Sequence, residues 1–415
     1  MPKDVEVEGD GVAPAASSLP AMVLLFGGTL GISAAYGMLL LLPLYVQKLG
    51  GDEADFGVIM ASATVTAVLA IGLVIRFPEA LRPNVVLALA ILAYGLGAAG
   101  AALVEDRWLP LVGIGLLLGT AWAVVYAASP MVVSGIVTDR ERVTYFGYLT
   151  GTQQLGIGVG PVVAGFLAEG KLGFRGTFLV AAVLCALAAI LVLVVGTLVP
   201  DTRKSLSGPD AGRSVSFRVS MGRILRSESV IWLVMILLFA CLFTTLTSFQ
   251  TTFARAQGLE FSVFYLSYTA AVILSRFGIV NVSARYDTRL VIAVAASLLV
   301  LSVPSFLLVG SNAVIYGLAS ASVGICYGLA LPTVQAQAVN ASEESIRPRV
   351  LPLAGLLFET MILVFPLLAG WVISDFGYEA VFALLATLCL VQAGLGWERY
   401  VSSRHQATGF SKRGL

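Results

Sequence analysis

Two ionisable side chains lie inside runs that are otherwise apolar. Glu359 sits in LLFETMILVFPLLAG and Arg276 in AAVILSRFGIV. A charge held at the centre of a bilayer costs about 2.5–3.5 kcal/mol on insertion scales, so such residues usually face a cavity or a partner. A carboxyl withdrawn from water keeps its proton more readily, which suits proton uptake and release near neutrality. Glu359 is therefore either a proton- or cation-handling group or a satisfied buried acid. Arg276 is either a counter-ion for a substrate anion or a side chain that snorkels to the headgroups. Arg276 lies nine residues before Arg285, and Glu359 ten after Arg349. At 1.5 Å per residue both reach about 13–15 Å from the same membrane edge, deep enough to pair or to share a site.

Other polar and aromatic groups cluster in the same way. Trp122 and Tyr126 are one helical turn apart and share a face. Tyr36, Tyr327, Gln335 and Gln337 stand in similar apolar settings. Aromatics with a few polar groups suit an amphiphilic organic substrate, and the competing reading is helix packing. Gln250 stands among Thr244, Thr245, Thr247, Ser248, Thr251 and Thr252. Those hydroxyls either line a water-filled path or bond back to carbonyls one turn earlier. Gln153 and Gln154 serve either as interhelical glue or as substrate contacts.

Several function classes drop out. The only histidine is His405, and the four cysteines (Cys185, Cys241, Cys326, Cys389) are far apart in apolar runs, so no metal site is expected. No nucleophile–base arrangement is apparent, and an enzyme is not expected. A net charge of +1 gives no field for nucleic acid.

The elements that position these residues follow from composition. Hydrophobic residues make up 58 % of the chain and charged ones 12 %, about half the charge of a soluble domain. Twelve apolar spans are expected near 21–46, 56–75, 84–104, 109–133, 144–167, 177–199, 230–253, 261–283, 290–310, 313–339, 350–373 and 379–397. The reading is an all-α membrane protein of twelve transmembrane helices in two pseudo-symmetric six-helix bundles. A tail at 1–20 precedes a bundle at 21–199. A linker at 200–229 leads to a second bundle at 230–397 and a tail at 398–415. The acidic start (Asp4, Glu6, Glu8, Asp10) is the wrong charge for a signal peptide. With both termini cytosolic, Lys48, Arg107, Lys171, Arg175 and Arg255 alone of the Lys and Arg face outward, Arg276 being within a span. That asymmetry sets the orientation.

The halves repeat. Pro130 aligns with Pro332, Pro161 with Pro366, Gly50 with Gly258, and Gln154 with Glu359, at nearly constant offset. Duplicated units of this kind occur in transporters, with the substrate site between them near the midplane. The stretch GYLTGTQQLGIGVGPVVAG (147–165) carries Gly147, Gly156 and Gly160 on what reads as one bare face, with Pro161 as a kink. In lipid, small residues let helices approach closely enough for packing to hold them.

The run Gly147, Gly156, Gly160-Pro161, Ala164-Gly165 resembles the fifth-helix motif of antiporters in the major facilitator superfamily, with Ala164 in place of the first Gly of the final pair. The resemblance spans the chain. It implies a multi-pass transporter of the inner or plasma membrane, monomeric and without a bound cofactor. Working by alternating access, it would couple efflux of a small amphiphilic compound to the proton gradient. On that reading Glu359 couples protons, and Arg276, Gln250, Tyr36, Trp122, Tyr126, Gln154, Tyr327 and Gln335 contact substrate. The other reading is an importer or facilitator of a small organic anion with Arg276 as counter-ion. Two motifs depart from the family. The loop after the second span reads GLVIRFPEALRP, with Arg76 where an Asp is usual. In the fourth span Gly115-Leu-Leu-Leu-Gly119 lacks the usual Arg.

Overall fold

A computed structural model describes residues 18–76, 82–137, 141–198, 222–224, 226–343 and 347–411. Residues 1–17 of the expected tail at 1–20, the loop residues 77–81 and most of the expected linker lie outside the described residues. No strand occurs among the described residues. Lipid offers no partner for a free N–H or C=O, and a helix satisfies both within itself.

The helices are α1 Ser18–Met38, α2 Leu42–Lys48, α3 Glu53–Ser62, α4 Thr64–Arg76, α5 Pro83–Leu103, α6 Pro110–Ser134, α7 Arg142–Glu169 and α8 Gly173–Leu198. Then come α9 Ser229–Ala256, α10 Phe261–Arg285, α11 Thr288–Ser302, α12 Ala313–Asn340 and α13 Arg347–Ser411. A 3-10 turn at Leu39–Leu41 joins α1 to α2 within the first expected span. The expected eleventh and twelfth spans are both in α13, interrupted at Gly377 (φ +83°). The chain reverses there: Gly370 packs on Glu53, whereas Gly396 packs on Ala293 near the start of α11. The helix also runs past 397, the expected end of the bundle.

Nine stretches among the described residues are long and apolar enough to cross a membrane, and α7 is not one of them. Its glycines, threonines and glutamines lower its hydropathy, yet it packs inside the bundle as a 28-residue helix.

The backbone extends the repeat seen in the sequence. Gly50 and Gly258 take positive φ (81° and 68°) at the same place in each half. Gly173 and Gly377 form a second such pair (60° and 83°). Cys185 and Cys389 fall at the same offset as that second pair, and both are buried.

The glycines of α7 differ from the expected single bare face. A Cβ on Gly156 would sit 2.6 Å from Ser33 Cβ and 2.8 Å from the Ala34 nitrogen, and Gly160 abuts Ala34 and Gly37. That face belongs to α1, in the same half. Contact with the other half comes from the opposite side of α7, where Gly158 meets Thr269 and Gly165 meets the Phe261 ring of α10. Gly147 has nothing within 4 Å of its would-be Cβ, so it is no part of either face. Pro161 lies against Gly37.

The departure in the fourth span has a packing cause. A Cβ on Gly115 would lie 2.5 Å from the Ile59 carbonyl oxygen, and Gly119 abuts Ala63 and Leu363. α3 occupies the space an arginine would need.

The seam between the halves is tightest at the end remote from the termini. A Cβ on Gly57 would sit 2.6 Å from the Pro366 carbonyl oxygen, and Phe56 and Phe249 meet edge to face at 5.5 Å. Glu53 Oε1 accepts from Gln47 Nε2 at 2.9 Å and from the Tyr378 hydroxyl at 2.8 Å. Tyr378 also lies 2.7 Å from Thr252 Oγ1. Ala54 N donates to Ser374 Oγ at 3.1 Å, and Thr251 Oγ1 donates to the Leu40 carbonyl at 3.4 Å.

Two outcomes follow. Gly156→Leu overpacks the α1–α7 contact, a change that costs about 1–3 kcal/mol. It should lower the melting temperature in detergent, while Gly147→Leu leaves it within a degree or two. Tyr378→Phe removes a hydrogen bond to a buried carboxylate, worth about 1.5–3 kcal/mol. It should raise maleimide labelling of Leu42→Cys, in a chain lacking its four cysteines, by several-fold; unchanged labelling would show that Tyr378 does not hold the seam closed.

Candidate functional site

Below the seam residues of both halves line a shared, partly open cavity. α1 contributes Tyr36, α6 Trp122 and Tyr126, and α7 Thr150, Gln153, Gln154 and Ile157. The second half contributes Phe243 from α9, Arg276 from α10, Tyr327 and Leu331 from α12, and Phe358, Glu359 and Ile362 from α13. Trp122, Gln154 and Glu359 each sit near the middle of their membrane crossing, where neither end of the helix supplies charge or water.

The walls are aromatic. Tyr36 stacks on Trp122 with centroids 4.0 Å apart and planes 28° apart, and Tyr94 lies behind both. Across the cavity Phe243 stacks on Tyr327 at 5.4 Å and reaches Phe358 at 6.0 Å. Such pairs hold rings rigid and leave a flat surface to stack against. A second chamber of about 530 Å³ shares Tyr36, Trp122 and Ile362, and its other walls are mostly leucines, Phe56 and Ile59.

Three polar atoms on this cavity are buried and lack a hydrogen-bond partner: Glu359 Oε2, Arg276 Nε and Gln154 Nε2. Glu359 is only 3 % exposed. Unmet buried polar atoms are rare because each forfeits its hydration without return. Glu359 and Arg276 share the cavity but form no ion pair within 4 Å. The expected direct pairing is therefore absent.

Eight of the residues singled out in the sequence meet here: Glu359, Arg276, Tyr36, Trp122, Tyr126, Gln153, Gln154 and Tyr327. Others do not. Gln250 is buried in α9 toward the seam, where its Oε1 accepts from Tyr316 at 2.8 Å. Gln335 is half-buried near the end of α12, away from the cavity lining. Gln337 is placed likewise. Most hydroxyls of α9 bond to carbonyls: Thr245 to Cys241, Thr247 to Phe243 and Thr252 to Phe249. Ser248 alone of that group lines a chamber, the second one. Thr150, Phe243 and Phe358 line the cavity without having stood out in the sequence; the adjacency of Phe358 to Glu359 was the one available signal. Among the described residues no group of His, Cys, Asp or Glu could hold a metal ion.

The major facilitator superfamily model matches residues 22–358. The chain belongs to that superfamily. Among solved structures, a bacterial homologue of the human lysosomal transporter Spinster, inward-facing and unoccupied, superposes with a TM-score of 0.73 at 12 % identity, over 92 % of this chain and 97 % of that one. A POT family transporter in complex with a thioalcohol-conjugated peptide gives 0.73 at 14 % identity, over 92 % and 96 %. The nucleoside transporter NupG gives 0.67 at 16 % identity, over 93 % and 99 %. At these identities the likeness is one of fold. No curated protein matches the sequence. This superfamily member is thus a multi-pass membrane transporter, and its cavity lies between the halves where such proteins bind substrate.

A compound that this transporter binds should lose about tenfold in affinity when Trp122→Ala removes the stacking wall, since about 1.4 kcal/mol of ring contact is at stake. Gln335→Ala should leave affinity unchanged. Binding isotherms on the purified protein check both.

Proposed function

We propose that the protein is a secondary transporter that exports a small amphiphilic organic compound in exchange for protons, by alternating access through the central cavity. One observation carries the reading: the Glu359 carboxyl lies on the aromatic cavity between the halves, 3 % exposed, with Oε2 unpartnered. Such a carboxyl binds either a proton or the donor end of a substrate, and only one at a time. Exchange follows from that competition, with no cofactor beyond the proton gradient. On this reading the protein works as a monomer in the inner or plasma membrane with cytosolic termini, an orientation supported by the Lys and Arg asymmetry. The latched seam then closes the outer end, and the cavity is reached from the cytosol. Efflux also rests on the resemblance of the Gly147–Gly165 run to antiporters.

A second reading, uptake or facilitated passage of an organic anion, is favoured by Arg276, whose Nε is likewise buried on the cavity without a partner. The relatives named above carry different cargoes, so cavity chemistry is the better guide here.

Proteoliposomes with an imposed pH gradient test the proposal. Adding a transported aromatic amphiphile should drive proton movement in the wild type, and Glu359→Gln should abolish it while retaining binding. Unchanged proton movement in Glu359→Gln would remove Glu359 from coupling. Transport of anions alone, lost in Arg276→Gln, would favour the second reading.

A further inference from the structure

We infer that the preferred substrate is a compact zwitterion with a flat apolar body, its cationic end at Glu359 and its anionic end at Arg276. The inference rests on the transport reading above for the direction of use, but its chemistry stands on the cavity alone. Two ionisable groups of opposite sign line one cavity without touching each other, and each keeps an unmet hydrogen-bonding atom: Oε2 on Glu359 and Nε on Arg276. Structural ion pairs in a low-dielectric interior close on one another, because a buried charge left unpaired is strongly destabilising. Here Glu359 is buried and Arg276 half-buried with its Nε enclosed, the two are held apart, and an interposed ligand is what joins them.

The sign and number of ligand charges follow from electroneutrality. Glu359 and Arg276 are the charged residues among those lining the cavity, and with the carboxyl ionised their charges cancel. A monocation satisfies Glu359, leaves Arg276 unmet, and adds a net charge to a site of low dielectric. A monoanion satisfies Arg276 and leaves Glu359 holding its proton, so it drives no exchange. A zwitterion satisfies both and adds none. Gln154 Nε2, the third unpartnered atom, is a donor and adds a hydrogen bond for an acceptor on the same ligand.

The rest of the molecule is specified by the walls. The stacked Tyr36–Trp122 pair faces both chambers, and the second chamber is apolar apart from Ser248 and tyrosine hydroxyls. A planar ring stacked on Trp122 directs its apolar end there while its charged groups stay with Glu359 and Arg276. Coupling then takes a definite form: the ammonium and a proton compete for one carboxylate, so binding a zwitterion to the protonated site releases a proton.

The test uses the full chain in nanodiscs and three probes with one indole body: tryptophan (zwitterion), tryptamine (cation) and indole-3-propionate (anion). Tryptophan should bind at least tenfold more tightly than either of the others by calorimetry, with proton release seen as a buffer-dependent heat. Glu359→Gln should erase its advantage over indole-3-propionate and the proton release. Arg276→Gln should erase its advantage over tryptamine. Equal or tighter binding of a singly charged probe, binding of none of the three, or an unchanged ranking in both variants would overturn the inference. Flux separates the two levels. A singly charged probe carried with Glu359-dependent proton movement would sink the zwitterion and keep the transporter. The expected binding order without any flux in proteoliposomes would keep the site chemistry and sink the exchange reading.

Discussion

Helices in a bilayer gain no hydrophobic advantage by leaving lipid for one another, so they adhere only where their surfaces fit closely. That constraint governs α7. Gly156 and Gly160 bring its backbone against α1, while Gly158 and Gly165 bring the opposite side against α10. One helix is thus packed within its own half and across the seam at once. Gln153, Gln154 and Thr150 ride on it, and their place in the cavity follows from this double contact. The same economy of volume explains Gly115 and Gly119, whose missing side chains let Ile59 and Ala63 approach.

The two ends of the molecule solve opposite problems. At the seam, polar groups satisfy one another: Glu53 holds Gln47 and Tyr378, and Ser374 holds the start of α3. In the cavity they do not, and Glu359, Arg276 and Gln154 each keep a buried atom unmet. Satisfied networks add rigidity, whereas unmet buried polar atoms are costly. The contrast separates the latched end of the molecule from the cavity at its middle.

The membrane class, the duplicated halves and the pair Glu359 and Arg276 were legible in the sequence, since each depends on composition or on spacing along one chain. Most helix edges agreed to within a few residues for the same reason; the last helix, which runs on to Ser411 past the expected 397, did not. Legibility failed where faces had to be chosen. Gln250 and Gln335 have the same chemistry as Gln154, yet Gln250 is bonded to Tyr316 and Gln335 stands away from the cavity. Gly147 shares spacing with Gly156 but meets no neighbour. Phe243 and Phe358 were indistinguishable from other apolar residues until their helices were brought together.

By itself the sequence determined that this protein crosses a membrane repeatedly, in two similar halves, with one acid and one base inside apolar runs. Hydropathy and charge are properties of single segments, and each segment's cost in lipid is nearly independent of its neighbours. Only the tertiary structure decided that the acid and the base face one cavity without touching, and that stacked rings wall it. Those facts depend on the rotation and approach of helices from both halves, which shape complementarity sets and no single segment encodes.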